Sequence, residues 1–168
     1  ERIEDNIFRG ESRDIGSAQV FGGQVVGQAL SAAQQTVDDR AAHSLHAYFL
    51  RRGDMDAPIV YEVDRQRDGR SFSVRRVVAV QHGRPILNMA CSFQVPEGGV
   101  EHQFDMPDVP DPESLTDSRG LAREEAQKVP AKMRRFMTEA RPFEFRHVAR
   151  PAFLDNEPRP PHKHVWVK

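Results

Sequence analysis

Apolar positions between Val20 and Val37 recur at the spacing of a helix with one buried side. Val25, Val26, Ala29, Leu30, Ala33 and Val37 follow the i, i+3, i+4, i+7 rule. The positions between them are Gln24, Gln28, Gln34 and Gln35, polar but uncharged, where a solvated helix would carry Lys and Glu. The pattern therefore predicts a helix enclosed on most sides. It begins behind paired glycines, Gly22 and Gly23, whose backbone N–H groups no side chain shields. Such a start either merely follows a glycine turn or receives a carbonyl oxygen or a phosphate.

Downstream the period changes to two. The runs His43–Leu50, Pro58–Arg67, Ser71–Gln81 and Pro85–Val95 have strand character, after a short strand-like opening at Ile7–Arg9. In the Ser71–Gln81 run, Phe72, Val74, Val78 and Val80 share one face. Asp68–Gly69 and His82–Gly83 are hairpin signals, and connections this short pair strands antiparallel. The expected fold is α+β: one long central helix followed by an antiparallel meander that curls around it.

Past Pro96 this patterning is lost. Pro107, Pro110 and Pro112 lie among Asp105, Asp108, Asp111, Glu113 and Asp117, which reads as an acidic linker. Leu121 to Ala140 predicts one or two short helices, with Pro130 breaking any single long one. Pro142–Ala149 alternates like a strand, and the closing HVWVK reads as the start of another. The expected organisation is a domain over residues 1–102, a linker over 103–141 and the opening of a second unit over 142–168. The first residue is Glu1 and the last lies inside a strand-like run, so both ends read as cut.

Composition narrows the function classes. Apolar residues make up 38%, charged residues 29%, and mean hydropathy is −0.64, so only part of the chain is expected in a core. A formal charge of −1 and a pI near 6.7 argue against a nucleic acid or an anionic membrane as the partner. No apolar run reaches the roughly 18 residues that a membrane span needs. One cysteine, Cys91, excludes an internal disulfide and fits a reducing, cytoplasmic compartment.

Individual candidates are few. His43 and His46 are three apart, which on a strand places them on opposite faces, and His162 and His164 have no third ligand in view; no metal site is expected. His43 alone is either a satisfied structural histidine or a group facing the helix start. Cys91, mid-strand with no basic neighbour, reads as a small packed hydrophobe. Gln94, near a strand end, is either solvated or placed to orient a water or a carbonyl. Arg65, Arg67, Arg70, Arg75 and Arg76 surround the Asp68–Gly69 turn, and Arg51 and Arg52 add a second pair. They form either a solvated hairpin or a landing place for a polyanionic small molecule such as a nucleotide phosphate. Walker A, GxGxxG, GxSxG and HExxH motifs are absent.

VFGGQVVGQAL, HSLHAYFLRRGD, RDGRSFSVRRV and the strand ending in ACSFQ, in this order, resemble the N-terminal half of the acyl-CoA thioesterase II family. The resemblance runs from Ile7 to about His102 and weakly through PFEFR and HVWVK. It implies a double hotdog, two helix-in-sheet units in one chain, and hydrolysis of fatty acyl-CoA to fatty acid and CoA without metal or organic cofactor. It also implies that an Asp, a Ser or Thr, and a Gln in the second unit carry the chemistry, and these lie outside this sequence. In the first unit, His43 and Gln94 stand as counterparts of the Ser/Thr and the Gln. The counterpart of the Asp falls at Gly22–Gly23–Gln24, where an amide cannot act as a base. The first unit is thus expected to be a pseudo-site. Gly22, Gly23, Gln24, Arg75 and Arg76 are its candidate substrate contacts, acyl-CoA or fatty acid its ligand, and a homo-oligomer its state. The competing class is a non-catalytic hotdog module that binds acyl-CoA or dimerises. A hydratase would need a carboxylate on the helix, and none precedes Asp38.

Overall fold

The computed structural model describes residues 1–17, 19–138, 143–152, 154 and 157–168. They form two units, one of Glu1–Asp14 and Ala18–Val100, the other of Ile15–Ser17 and Glu101–Lys168.

The first unit holds strands β1 (Arg2–Glu4), β2 (Ile7–Gly10), β3 (Ala41–Phe49), β4 (Ile59–Asp68), β5 (Phe72–Gln81) and β6 (Arg84–Gln94), with helix α1 (Gly22–Gln34). All six strands join one antiparallel sheet in the order β1-β2-β4-β5-β6-β3. The α+β expectation of a helix against an antiparallel sheet describes this unit, but the meander covers only β4–β5–β6. Strand β3 does not pair with β4. It crosses to the far edge and pairs with β6 alone, leaving its other side open. The hairpin between β5 and β6 turns at His82 and Gly83, both at positive φ (50° and 69°), the backbone that a two-residue turn between twisted strands requires.

Helix α1 packs through small residues. Ala29 and Ala33 have no exposed surface and Ala32 has 2%, so the helix axis comes close to the sheet. Opposite them lie Ile59, Tyr61, Val77, Ala79, Leu87, Met89 and Phe93, all nearly or wholly buried. The face of β5 turned to the helix is Ser73, Arg75, Val77, Ala79 and Gln81, the less apolar of its two. Phe72, Val74, Val78 and Val80 do share one face, and it is the one directed away from α1.

The glutamines on α1 have partners that explain their lack of charge. Gln24 and Gln28 both donate to Glu11 O, at 3.1 and 3.0 Å, and Gln24 Oε1 accepts from Arg13 N–H at 3.1 Å. Gln34 donates to Arg40 O at 3.0 Å. These amides tie the segments before and after α1 to the helix and cover that flank. Gly23, Gly27 and Ser31, however, form an exposed stripe, so the enclosure on most sides that the helix pattern predicts does not hold. Gln28 Oε1 also accepts from the buried Tyr61 hydroxyl at 2.7 Å.

In the second unit, η1 (Pro112–Ser114), α2 (Ser118–Glu124) and α3 (Ala131–Thr138) precede a two-stranded pair, β7 (Phe145–His147) with β8 (Val165–Val167). Asp117 caps α2 by accepting from Arg119 N–H and Gly120 N–H. A small core of Ala122, Val129 and Leu154 holds this unit. The expected boundary between Arg141 and Pro142 lies outside the described residues.

Candidate functional site

Helix α1 lies along the sheet with its start near the end of β3 and its end near the middle of β5. A Cβ on Gly22 would fall 2.9 Å from the Phe49 ring, whereas Thr36, just past the helix, bonds Arg75. The first turn has no acidic residue, and Phe21, before it, makes no side-chain cap. Among the described residues no protein acceptor meets the N–H groups of Gly22 and Gly23.

Gly22 borders a cleft of about 450 Å³, which Gly23 does not line. Val20, Val25, Phe49, Leu50 and Ile86 form its apolar wall, with Gly22 at the helix start and Arg51, Arg52 and Gly53 at the rim. Strand β3 ends here, delivering Phe49 and Leu50 and then the arginine pair, while β6 supplies Ile86, whose carbonyl accepts from Leu50 N–H at 2.9 Å. The cleft thus combines apolar surface, an unengaged N–H donor with the positive end of a helix dipole, and two cations.

The other expected site residues are dispersed. Gln24 is committed to Glu11 and Arg13 and does not line the cleft. His43 does not face the helix start. A bulge between Ala42 and Ser44 turns it to the outer face of the sheet, where Nε2 lies 2.9 Å from Ser92 Oγ and the ring meets Phe72 edge-on. This is also the face of His46, so the bulge removes the alternation expected between the two histidines. From His43 to Phe49 is six residues of strand, about 20 Å at the rise of extended chain. Gln94 shares the far end and donates to Glu97 at 3.4 Å. His43 and Gln94 therefore do not assemble with Gly22 and Gly23.

The arginine cluster also divides. Arg75 is 1% exposed and spends its donors on Thr36 O, Thr36 Oγ1, Arg67 O, Val74 O and Asp68 Oδ1 at 2.7–3.0 Å, so it is not a landing place for a ligand. Arg76 is exposed on the outer face, across from Asp64 and Ala90. Arg51 and Arg52, not Arg75 and Arg76, border the cleft. Their signal in the sequence was an apolar strand end, Tyr48–Phe49–Leu50, running into two cations. Cys91 is buried, and desolvation pushes its thiol up to about 11, Arg75 opposing only in part, so it is no nucleophile. No group of three or more His, Cys, Asp or Glu able to hold a metal occurs among the described residues.

A family model described as acyl-CoA thioesterase N-terminal domain matches residues 9–94, just over half of the chain. The chain belongs to the acyl-CoA thioesterase family. Acyl-CoA thioesterase 2 of Haemophilus influenzae is 47% identical over 169 residues, covering 100% of this chain and 59% of that protein. The chain thus spans well under two thirds of the length of this curated relative. Among solved structures, an acyl-CoA thioesterase II from Mycobacterium marinum superposes with a TM-score of 0.71 at 38% identity, over 100% of this chain and 57% of that one. A hot dog fold protein of unknown function from Alicyclobacillus acidocaldarius, 20% identical over 90% of this chain and 53% of that one, has a TM-score of 0.69 and shares the fold. The helix laid on an antiparallel sheet is accordingly a hotdog. In this member of the acyl-CoA thioesterase family no carboxylate among the described residues lines the cleft at the helix start. No helix among the described residues is long and apolar enough to cross a membrane.

Proposed function

We propose that this chain is the substrate-binding N-terminal unit of an enzyme that hydrolyses fatty acyl-CoA to free fatty acid and CoA. The observation that carries the reading is the cleft itself, an apolar pocket with the N-terminus of α1 in its wall and arginines at its rim. A thioester carbonyl oxygen directed at the Gly22 N–H gains a donor that holds negative charge as water adds to the carbonyl carbon. The acyl chain packs on Val20, Val25, Phe49, Leu50 and Ile86. Collapse of the adduct breaks the C–S bond, and the departing CoA sulfur takes up a proton.

The missing part is the base. Gly22, Gly23 and Gln24 offer none, and the first turn of α1 has no acid. The Asp, Ser/Thr and Gln of a second hotdog supply it in this reading, and residues 142–168 are its opening. The open edge of β3 is where a strand from a second copy adds, so a homo-oligomer follows from that edge. A buried single cysteine agrees with a reducing cytoplasm.

Two measurements on the 168-residue chain test this. Titration with a non-hydrolysable thioether analogue of palmitoyl-CoA is expected to show saturable binding, lost in Gly22→Val. Thiol release from palmitoyl-CoA is expected to stay near background. Turnover at the roughly 10 s⁻¹ of an ordinary enzyme would refute the division of labour, and absence of analogue binding would refute the substrate. The competing reading, a binding module with no enzymatic form, gains if a chain that includes the second unit also fails to release thiol.

A further inference from the structure

Beyond the rim of the cleft lies a second one, of about 360 Å³, that shares Arg51, Arg52 and Ile86 with it and adds Arg84, His82, Asp54 and Gln81. Its charge is unevenly committed. The carboxylate of Asp54 is held by His82, Nε2 to Oδ2 at 2.8 Å, and by the N–H of Asp56 at 2.9 Å. Arg51 spends one donor on Pro85 O at 2.7 Å. Arg52 and Arg84 are exposed and meet no acceptor among the described residues. Two planar cations are therefore left facing a groove whose acid is already engaged.

The groove is also preformed. Gln81, buried at 5%, accepts from Asp54 N–H at 2.8 Å and donates to Asp54 O and Ala57 O at 2.9 and 2.8 Å. This clamp fixes the loop after β3 against the β5–β6 hairpin that carries His82 and Arg84. Gly53 sits where a Cβ would fall 2.9 Å from Val20, so the loop rests directly on the segment leading into α1. A surface arginine pair on a mobile loop would lose entropy on binding; here that ordering is present beforehand.

We propose that this groove binds the phosphate groups of the nucleotide end of CoA, with Arg52 and Arg84 as the phosphate ligands and Gln81 as the residue that positions them. The assignment rests on the acyl-CoA reading above and adds where the nucleotide lies: on the β3–β4 loop and the β5–β6 hairpin, not at the arginines around Asp68. Arginine forks suit phosphate oxygens, and the shared wall at Arg51, Arg52 and Ile86 lets one ligand enter both clefts.

The test titrates the 168-residue chain with CoA, with 3′,5′-ADP and with pantetheine, which lacks the nucleotide. CoA and 3′,5′-ADP are expected to bind, each weakened about tenfold by Arg52→Gln or by Arg84→Gln, and less by Arg52→Lys. Pantetheine binding is expected to be unchanged in all three, and Arg76→Gln, on the other face, to bind CoA as the parent chain does. Raising salt is expected to weaken CoA but not pantetheine. CoA affinity unaltered in the double variant R52Q/R84Q, or equal affinity of the parent chain for CoA and pantetheine, would overturn the groove. In either case, retained binding of S-palmitoyl pantetheine would leave the thioester reading standing, whereas its loss together with that of palmitoyl-CoA would remove both.

Discussion

The guanidinium of Arg75 reaches from β5 to the end of α1, donating from Nη2 to Thr36 O at 2.9 Å and from Nε to Thr36 Oγ1 at 2.8 Å. Thr36 Oγ1 in turn donates to Ala33 O at 2.7 Å, so a buried cation is linked to the final carbonyls of the helix. The last turn of α1 has no basic residue of its own. The sheet supplies the positive charge that a helix C-terminus favours.

Replacing Arg75 by Met is therefore expected to destabilise the chain by on the order of 3 kcal/mol, because several buried carbonyls lose a charged donor at once. The midpoint of urea denaturation measures it. Thr36→Val, which keeps the Thr36 carbonyl bond and loses the hydroxyl, is expected to cost less. An Arg75→Met chain as stable as the parent would mean that water replaces the network without loss.

Asp68 accepts from Ser73 Oγ and from Arg75 at 2.7 Å each. The Ser73 bond first, and Arg75 with it, hold its carboxyl below the ordinary 3.8. A carboxylate with a depressed folded pKa contributes stability above its unfolded pKa and loses it as pH falls through the folded value. The expected outcome is a fall in stability below pH 3.8 that Asp68→Asn makes shallower, read from thermal midpoints between neutral and acid pH. Asp68 is half exposed, so the effect is expected to be small and to shrink with salt.

Arg75 also shows where sequence reading ends. Helix α1 was legible because its apolar stripe and its glycine start are local, and the β4–β5 and β5–β6 pairings were legible from Asp68–Gly69 and His82–Gly83. The burial of β5 was not. Its Phe72–Val80 face is the more apolar, yet the other face turns inward because Thr36, 39 residues away, and Asp68 satisfy Arg75 there. The place of β3 depends on a strand crossing that no local pattern encodes. The direction of His43 depends on a one-residue bulge in that strand, which dispersed the expected pseudo-site. The cleft at the helix start was half legible: the glycines announced it, but its arginines arrive from a loop that only the crossing brings near.

Two glycines are expected to respond differently to the same methyl. At Gly10 a Cβ would lie 2.2 Å from Gln28 Oε1 and 3.0 Å from Tyr61, and Gln28 is the partner of the buried Tyr61 hydroxyl. Gly10→Ala displaces that amide and is expected to cost about 1–3 kcal/mol. At Gly22 the methyl meets only the Phe49 ring, which is 59% exposed and free to swing. Gly22→Ala is expected to change stability by less than about 0.5 kcal/mol while weakening the acyl-CoA analogue, since both residues line the cleft. Denaturation and titration of the two variants separate the effects; a Gly22→Ala chain that binds as the parent would place the acyl group elsewhere.

Strand β3 pairs with β6 on one side and presents nine residues of unpaired backbone on the other. Leu45, Tyr48 and Phe49 on it are 43%, 64% and 59% exposed. A long edge with apolar side chains on both faces has none of the charges that discourage pairing, so it is a template for a further strand. The 168-residue chain is therefore expected to self-associate through β3, and Leu45→Lys with Tyr48→Lys to shift it to monomer, because a charge on each face of the edge opposes the approach of its copy. Light scattering after size-exclusion chromatography reads both. The same pair of substitutions leaves Gly22 and the arginine groove untouched, so binding of the acyl-CoA analogue is expected to persist in the monomer. A stable, soluble monomer of the parent chain would refute the edge as an assembly surface, and analogue binding lost together with association would show that the cleft is completed by the neighbouring sheet.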